Sequence, residues 1–232
     1  MNGGQVIKFK VNEIFKSIQG ESSFAGLSCA FVRLSGCNLR CSYCDTAYAY
    51  KAGRYMSIDQ IVSKTAALDT HIVELTGGEP LLQPNALALI DALVDLASRR
   101  ALSAGPAVIK PRLLIETSGS MPIDNINPKA VIIMDIKTPS SGSAQMMLLN
   151  NLDYMKPEDE VKFAIGDRKD YEYSRKITLD HRLTQRCGVL FSAVYGRIEP
   201  RKIINWMLKD GINARFQLQL HKYIWPAGKK GV

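Results

Sequence analysis

Cys37, Cys41 and Cys44 place three thiols within eight residues, in the run Gly36-Cys37-Asn38-Leu39-Arg40-Cys41-Ser42-Tyr43-Cys44. The spacing C-x3-C-x2-C supplies three thiolates from one tight loop. An iron–sulfur cube has four irons, so three protein thiolates leave one iron open to a small molecule. A structural zinc needs four ligands and usually draws on two short-spaced knuckles, whereas this chain has one. Cys29 lies eight residues upstream, inside an apolar stretch, and His71 and His221 stand beside other apolar stretches. The spacing therefore favours a reactive cluster, with zinc as the alternative. Cys29 and Cys187 read as small buried hydrophobes.

The rest of the composition agrees with a metal centre in a reducing compartment. Five cysteines, an odd number with three in one loop, make a poor disulfide framework. The first ten residues carry no apolar signal-peptide core, and no later apolar run approaches the ~20 residues that cross a bilayer. The expectation is a soluble, cytoplasmic protein with no membrane partner. Thirty basic against 22 acidic residues leave a formal +8. The basic residues are scattered in ones and twos with no stripe interleaved with aromatics, which favours an anionic small molecule over nucleic acid.

The elements that must position this loop alternate between strand and helix. Residues 11–18 and 29–34 read as strands, and Ser57-Ile58-Asp59-Gln60 as a capping box opening a helix through Leu68. Strands follow at 72–75, 113–116, 131–136, 161–165, 189–193 and 216–220. Helices are expected after Pro84 (Ala86, Ile90, Leu93 and Ala97 on one face), at 144–152, at 170–177 and at 200–209, with loops at 101–111 and 139–142. At 232 residues and 46% hydrophobic, residues 1–232 are expected to form one domain. Repeated strand–helix units imply a parallel sheet with right-handed crossovers, and about six units fall short of the eight of a complete barrel. The expected fold is thus α/β: an incomplete, TIM-like barrel of parallel strands with helices outside. Chemistry in such sheets gathers at the C-terminal strand ends. That predicts one site shared by the cysteine loop and residues 76–78, 116–118 and 135–137.

Two stretches carry a resemblance. The cysteine run, with aromatic Tyr43 before the last cysteine, resembles the cluster motif of the radical S-adenosylmethionine enzymes. Thr76-Gly77-Gly78-Glu79-Pro80, after a strand, resembles their second motif. Read alone, that peptide is only a turn. The superfamily implies a 4Fe-4S cluster whose open iron is chelated by S-adenosylmethionine. Reduction then gives a 5′-deoxyadenosyl radical, the cofactor carrying the chemistry and the protein supplying geometry. A narrower resemblance covers essentially the whole chain. Residues 13–21 (Glu-Ile-Phe-Lys-Ser-Ile-Gln-Gly-Glu), Phe31-Val32-Arg33, Cys44-Asp45-Thr46 and Gln219-Leu220-His221-Lys222-Tyr223 are similar to the 7-carboxy-7-deazaguanine synthase family. That family is a homodimeric incomplete barrel. It contracts 6-carboxy-5,6,7,8-tetrahydropterin to 7-carboxy-7-deazaguanine with loss of ammonia, on the route to queuosine and other 7-deazapurines.

The resemblance implies roles residue by residue. Cys37, Cys41 and Cys44 hold the cluster. Tyr43, Cys44, Asp45, Gly78, Glu116, Ser118, Asp135, Ile136 and Lys137 meet S-adenosylmethionine, and Thr46 is the protein ligand to Mg2+. Ile18, Gln19 and Gly20 present backbone to the pterin with Glu21 close by, and Thr76 and His221 face it. Arg33 pairs with its carboxylate, a role suited to a planar fork of donors. The terminal carboxylate of Val232 is a candidate partner for the pterin's guanidine-like edge. A flavodoxin or ferredoxin is implied as electron donor. Each residue has a plainer reading: Arg33 as an edge charge, Gly20 as a strand stop, Thr46 as a loop residue, His221 as a structural histidine, and Val232 as the end of a frayed tail. Asp135-Ile136-Lys137 departs from the Ser-Pro-Lys of many members, which leaves the contacts of its first two residues open. Two other functions remain: a glycyl-radical-enzyme activase, which shares Gly-Cys-Asn-Leu-Arg-Cys, and a non-enzymatic iron–sulfur or zinc module. Ile18-Gln19-Gly20-Glu21 argues against the first, and Thr76-Gly77-Gly78-Glu79-Pro80 against the second.

Overall fold

Side chains alternate between the two faces of the strands, the outward set mostly apolar and the inward set turning from apolar to polar toward the C-terminal strand ends. In the computed structural model, which describes residues 7–103, 110, 112–226 and 228–232, nine strands form one sheet. They are β1 (Lys8–Ile18), β2 (Ser28–Leu34), β3 (Arg54–Ser57), β4 (Ile72–Gly77), β5 (Arg112–Thr117), β6 (Val131–Asp135), β7 (Glu160–Ile165), β8 (Gly188–Ala193) and β9 (Arg215–Gln217). Their order is β3-β1-β2-β4-β5-β6-β7-β8-β9. β1 pairs antiparallel with both β2 and β3, and every neighbour from β2 to β9 is parallel. β3 and β9 are the edges, so the barrel stays open, the incomplete α/β barrel expected. β3 itself was not foreseen. Its four residues pair only with the start of β1, too short a stretch to show a pattern.

Helices α1 (Ile58–Ala67), α2 (Ala86–Ser103), α3 (Arg168–Asp180), α4 (Pro200–Asp210) and α5 (His221–Ile224) follow the strands. The capping box at α1 is present: Ser57 accepts from the Gln60 N–H, and the Gln60 side chain accepts from the Ser57 N–H. α2 runs through 101–103, where a loop was expected, and most of that loop (104–109 and 111) lies outside the described residues. Leu89, Ile90, Leu93 and Val94 of α2 are buried against the outward faces of β4 and β5, part of a core that continues around the sheet to Phe163, Tyr171 and Phe191.

Two expected elements are corrected. Residues 144–152 are not an α-helix but two 3-10 turns, Ala144–Met146 and Leu149–Tyr154. The Leu148 N–H and the Asn151 side chain both donate to the Gly119 carbonyl, which ties the segment to the β5–β6 connection and breaks the helical register. The last strand ends at Gln217 rather than 220, because the Leu220 N–H leaves the sheet to bond the Gly20 carbonyl at 2.8 Å. His221 therefore opens a short helix instead of closing a strand. Cys29 is fully buried as expected, while Cys187 is only half-buried. Among the described residues no helix is long and apolar enough to cross a membrane.

Candidate active site

Strand ends bring the motifs together. The cysteine loop leaves β2 through Gly36, whose φ of +98° suits glycine. It is pinned across the sheet: the Ser42 N–H donates to the Ser141 carbonyl at 3.0 Å and the Ser42 hydroxyl to the Ser140 carbonyl at 2.8 Å. The Tyr43 hydroxyl lies 3.2 Å from that of Thr138. The β4 end meets the loop from below. The Glu79 N–H donates to the Gly36 carbonyl at 2.9 Å. A Cβ on Gly78 would fall 2.3 Å from the Gly36 carbonyl oxygen and 2.6 Å from Cys37 Cβ, so only glycine fits beneath the first cysteine.

Glu79 joins three motifs. It is fully buried and accepts from the Leu81 N–H, the Thr117 hydroxyl, the Ser118 N–H at 2.8 Å and the Ser118 hydroxyl at 2.6 Å. The Ser118 and Ser120 hydroxyls are 2.8 Å apart, and Ser120 donates to Asn38 Oδ1 in the cysteine loop at 3.1 Å. One carboxylate thus locks the ends of β4 and β5 to the loop between Cys37 and Cys41, each bond charge-assisted or buried.

These parts surround one cavity of about 590 Å³. Cys37, Cys41, Cys44, Tyr43, Asp45 and Thr46 line it from the loop; Ile18, Gln19, Gly20 and Arg33 from β1 and β2; Thr76, Gly78, Glu116, Ser118, Asp135 and Lys137 from the ends of β4, β5 and β6; His221 and Val232 from the C-terminal segment. Ile136 is the one expected site residue that does not border it: its side chain is in the core and its N–H donates to the Lys162 carbonyl. A smaller hollow of about 470 Å³ opens alongside and shares Ala193, Tyr195, Arg197 and Gln219.

Sequence reading missed the residue at the centre. Lys162 of β7 is 5% exposed, and its ammonium meets Glu21 and Glu116 at 2.6 Å each and Asp135 at 3.3 Å. Burial opposes its charge, but Glu116, Glu21 and Asp135 outweigh that and hold its pKa well above the ordinary lysine value. Burial likewise pushes the Glu21 and Asp135 carboxyls up, but Lys162 at Glu21, and Lys137 (2.8 Å) followed by Lys162 at Asp135, bring both below their ordinary values. The available signal was a lysine at an inward position of an otherwise apolar strand. Arg33 is held by Glu13 (Nε to Oε1, 2.8 Å), which also accepts from the Tyr48 hydroxyl at 2.7 Å. Asp45, although half exposed, is held down at about 2: burial opposes, but Lys222 at 2.7 Å and the Thr46 hydroxyl prevail. Burial lowers the His221 pKa, with Glu21 only partly opposing it.

The donor set fits a cluster and a polar organic cofactor. Among the described residues no group of three or more His, Cys, Asp or Glu is gathered as the ligands of a single ion would be. Asp135 Oδ1 is buried without a hydrogen-bond partner while Oδ2 is shared by Lys137 and Lys162. A buried acceptor of this kind calls for a donor from a bound molecule.

Comparison with known proteins agrees with this geometry. Residues 31–136 match the Radical SAM superfamily. The chain is 43% identical to the 7-carboxy-7-deazaguanine synthase of Chlorobaculum tepidum, over 96% of each chain. It is 40% identical to that of Koribacter versatilis, over 96% of this chain and all of the other. Its fold resembles the crystal structure of QueE from Escherichia coli, with a TM-score of 0.70 over 92% of this chain and 95% of that one, at 21% identity. Streptococcus suis SuiB bound to S-adenosylmethionine shares the fold more distantly, with a TM-score of 0.51 at 12% identity over 79% of this chain and 48% of that one. With its strand-end cavity, three-cysteine loop and full-length relatives, the chain belongs to the 7-carboxy-7-deazaguanine synthase family of radical S-adenosylmethionine enzymes, which use a 4Fe-4S cluster in 7-deazapurine biosynthesis.

Proposed function

We propose that this cavity binds 6-carboxy-5,6,7,8-tetrahydropterin beside S-adenosylmethionine and carries out its Mg2+-dependent contraction to 7-carboxy-7-deazaguanine. The observation that carries the reading is that the three cysteines and the residues expected to meet the pterin line the same cavity. When bound, the cluster and S-adenosylmethionine supply the one-electron cleavage and hydrogen abstraction at C6 that no side chain can perform.

The side chains bind, orient and exclude water. Cys37, Cys41 and Cys44 hold the cluster, and Gly78 keeps the β4 end close beneath it. Tyr43, Cys44, Asp45, Glu116, Ser118, Asp135 and Lys137 surround the cofactor, the free Asp135 Oδ1 accepting from it. Ile136 is confined to its carbonyl, since its side chain and N–H are spent elsewhere. Arg33, its Nε fixed by Glu13, turns the rest of its fork toward the pterin carboxylate. Ile18, Gln19 and Gly20 offer backbone to the ring, with Thr76 and His221 on its flanks. The position of Val232 on the cavity wall supports the terminal carboxylate as partner for the guanidine-like edge. Thr46 gives Mg2+ one protein oxygen and leaves the other positions to water and substrate, as that ion prefers. Residues 1–232 work as one domain, in a cytoplasmic homodimer reduced by a flavodoxin or ferredoxin and engaging neither membrane nor nucleic acid.

Reconstituted protein with reductant, S-adenosylmethionine, Mg2+ and the pterin tests the assignments. Arg33→Ala should raise the pterin concentration needed for turnover, and an unchanged dependence would return Arg33 to a structural ion pair. Thr46→Ala should weaken the Mg2+ requirement or activity while retaining iron. A loss of iron matching that of Cys41→Ala would refute its assignment to Mg2+.

A further inference from the structure

The floor of the cavity contains a buried acid that the mechanism above does not use. Inward-facing Cys29, Phe31, Ile72, Leu114, Val131 and Ile133 form an apolar plug that seals the lower end of the barrel. Glu74 lies on the same inward face of β4, between Ile72 and Thr76, and borders the cavity although only 2% exposed. Its orientation is fixed by Gln19. The Gln19 side-chain carbonyl accepts from the Glu21 N–H at 2.9 Å, so its NH2 must be the group that donates to Glu74 Oε2. Among the described residues the other oxygen, Oε1, has no hydrogen-bond partner.

The charges around Glu74 are already committed. Arg33 on β2 is paired with Glu13, and Lys162 on β7 is shared by Glu21, Glu116 and Asp135. Neither makes an ion pair with Glu74, and the carboxylates Glu116 on β5 and Glu21 after β1 also face it. An ionised Glu74 would stand in an almost dry site beside two like charges with no direct countercharge. Burial first, and Glu116 after it, push its pKa well above the ordinary carboxylate value, with Arg33 and Lys162 only partly opposing.

We propose that Glu74 stands in the cavity floor as an uncharged carboxylic acid, with Oε1 donating a hydrogen bond to an acceptor atom, a carbonyl oxygen or unprotonated ring nitrogen, on the innermost edge of the substrate. Glu74 is then a specificity-determining residue: its O–H selects an acceptor edge, where a carboxylate would repel it. The ligand half of this proposal rests on the pterin occupying the cavity; the uncharged state does not.

The reconstituted holoprotein, its Glu74→Gln variant and its Glu74→Met variant separate the possibilities. Infrared difference spectra of wild type against Glu74→Gln at pH 7 should contain a protonated carboxyl stretch. Carboxylate bands alone would overturn the uncharged acid. Glu74→Met, which removes the donor, should raise the pterin KM roughly 10- to 100-fold with a smaller change in kcat. Glu74→Gln, still neutral and still a donor, should recover most of that loss. Iron content and pterin-free cleavage of S-adenosylmethionine report folding separately. A Glu74→Met enzyme that folds and keeps the wild-type KM would overturn the substrate contact, as would Glu74→Gln failing as badly as Glu74→Met. A wild-type protein with the acid band but no pterin turnover would overturn the substrate reading and the ligand half with it, leaving the uncharged acid established.

Discussion

Replacing Lys162 with methionine should turn the centre of the site against itself. The ammonium holds three carboxylates, two at 2.6 Å and one at 3.3 Å, from the loop after β1, from β5 and from β6. At about 3 Å and an effective dielectric near 20, each contact has a gross attraction of about 5 kcal/mol, most of it offset by desolvation. Removing one partner of a buried pair leaves the others uncompensated, at a net cost of about 3–5 kcal/mol. For a chain of this size that corresponds to a melting temperature roughly 6–20 °C lower near neutral pH. The pH dependence is the sharper signature. In the wild type, Glu21 and Asp135 have folded pKa values below their unfolded ones. Their contribution is present above the unfolded values and is lost as pH falls through the folded ones. In Lys162→Met, Glu21 loses its main cation while Asp135 keeps Lys137; burial then prevails at Glu21 and its folded value rises. The variant's stability should then increase as pH falls from 8 toward 5.5, narrowing its deficit. Thermal melts of both reconstituted proteins across that range provide the assay. A deficit that is the same at every pH would refute the electrostatic account and leave only lost packing.

Other consequences follow from the close contacts. A Cβ on Gly20 would fall 2.2 Å from His221 Nδ1, so Gly20→Ala should impair pterin turnover at intact iron content, and adding His221→Ala should recover part of the loss. Gly78→Ala meets backbone that cannot yield, and iron analysis after reconstitution should show depleted cluster. Glu79→Ala strands the Ser118 N–H and two hydroxyls in a dry site, at about 2–4 kcal/mol, and a melting curve close to wild type would contradict that linkage.

What the sequence revealed was whatever is contiguous. The cysteine loop and Thr76-Gly77-Gly78-Glu79-Pro80 declare themselves as unbroken words, and strands β4 to β8 are apolar enough to be placed within a few residues. Lys162, Glu74 and Glu13 are charges inside strands, and their partners lie 20 to 141 residues away, or 55 for Gln19 and Glu74. A charge at every second position of a strand signals a polar interior only once the sheet is known to curl. The failed helix at 144–152 has a similar cause: its sequence is helical enough, but Gly119 claims the Leu148 N–H. Ile136 occupies a motif position, and only the fold shows its side chain turned into the core.

If one cavity joins the cluster loop to a pterin site, anaerobic turnover reports it directly. Reconstituted protein given reductant, S-adenosylmethionine, Mg2+ and 6-carboxy-5,6,7,8-tetrahydropterin should form 7-carboxy-7-deazaguanine, identified by absorbance and mass, with S-adenosylmethionine regenerated rather than consumed. Cleavage of S-adenosylmethionine with the pterin left untouched would contradict the account.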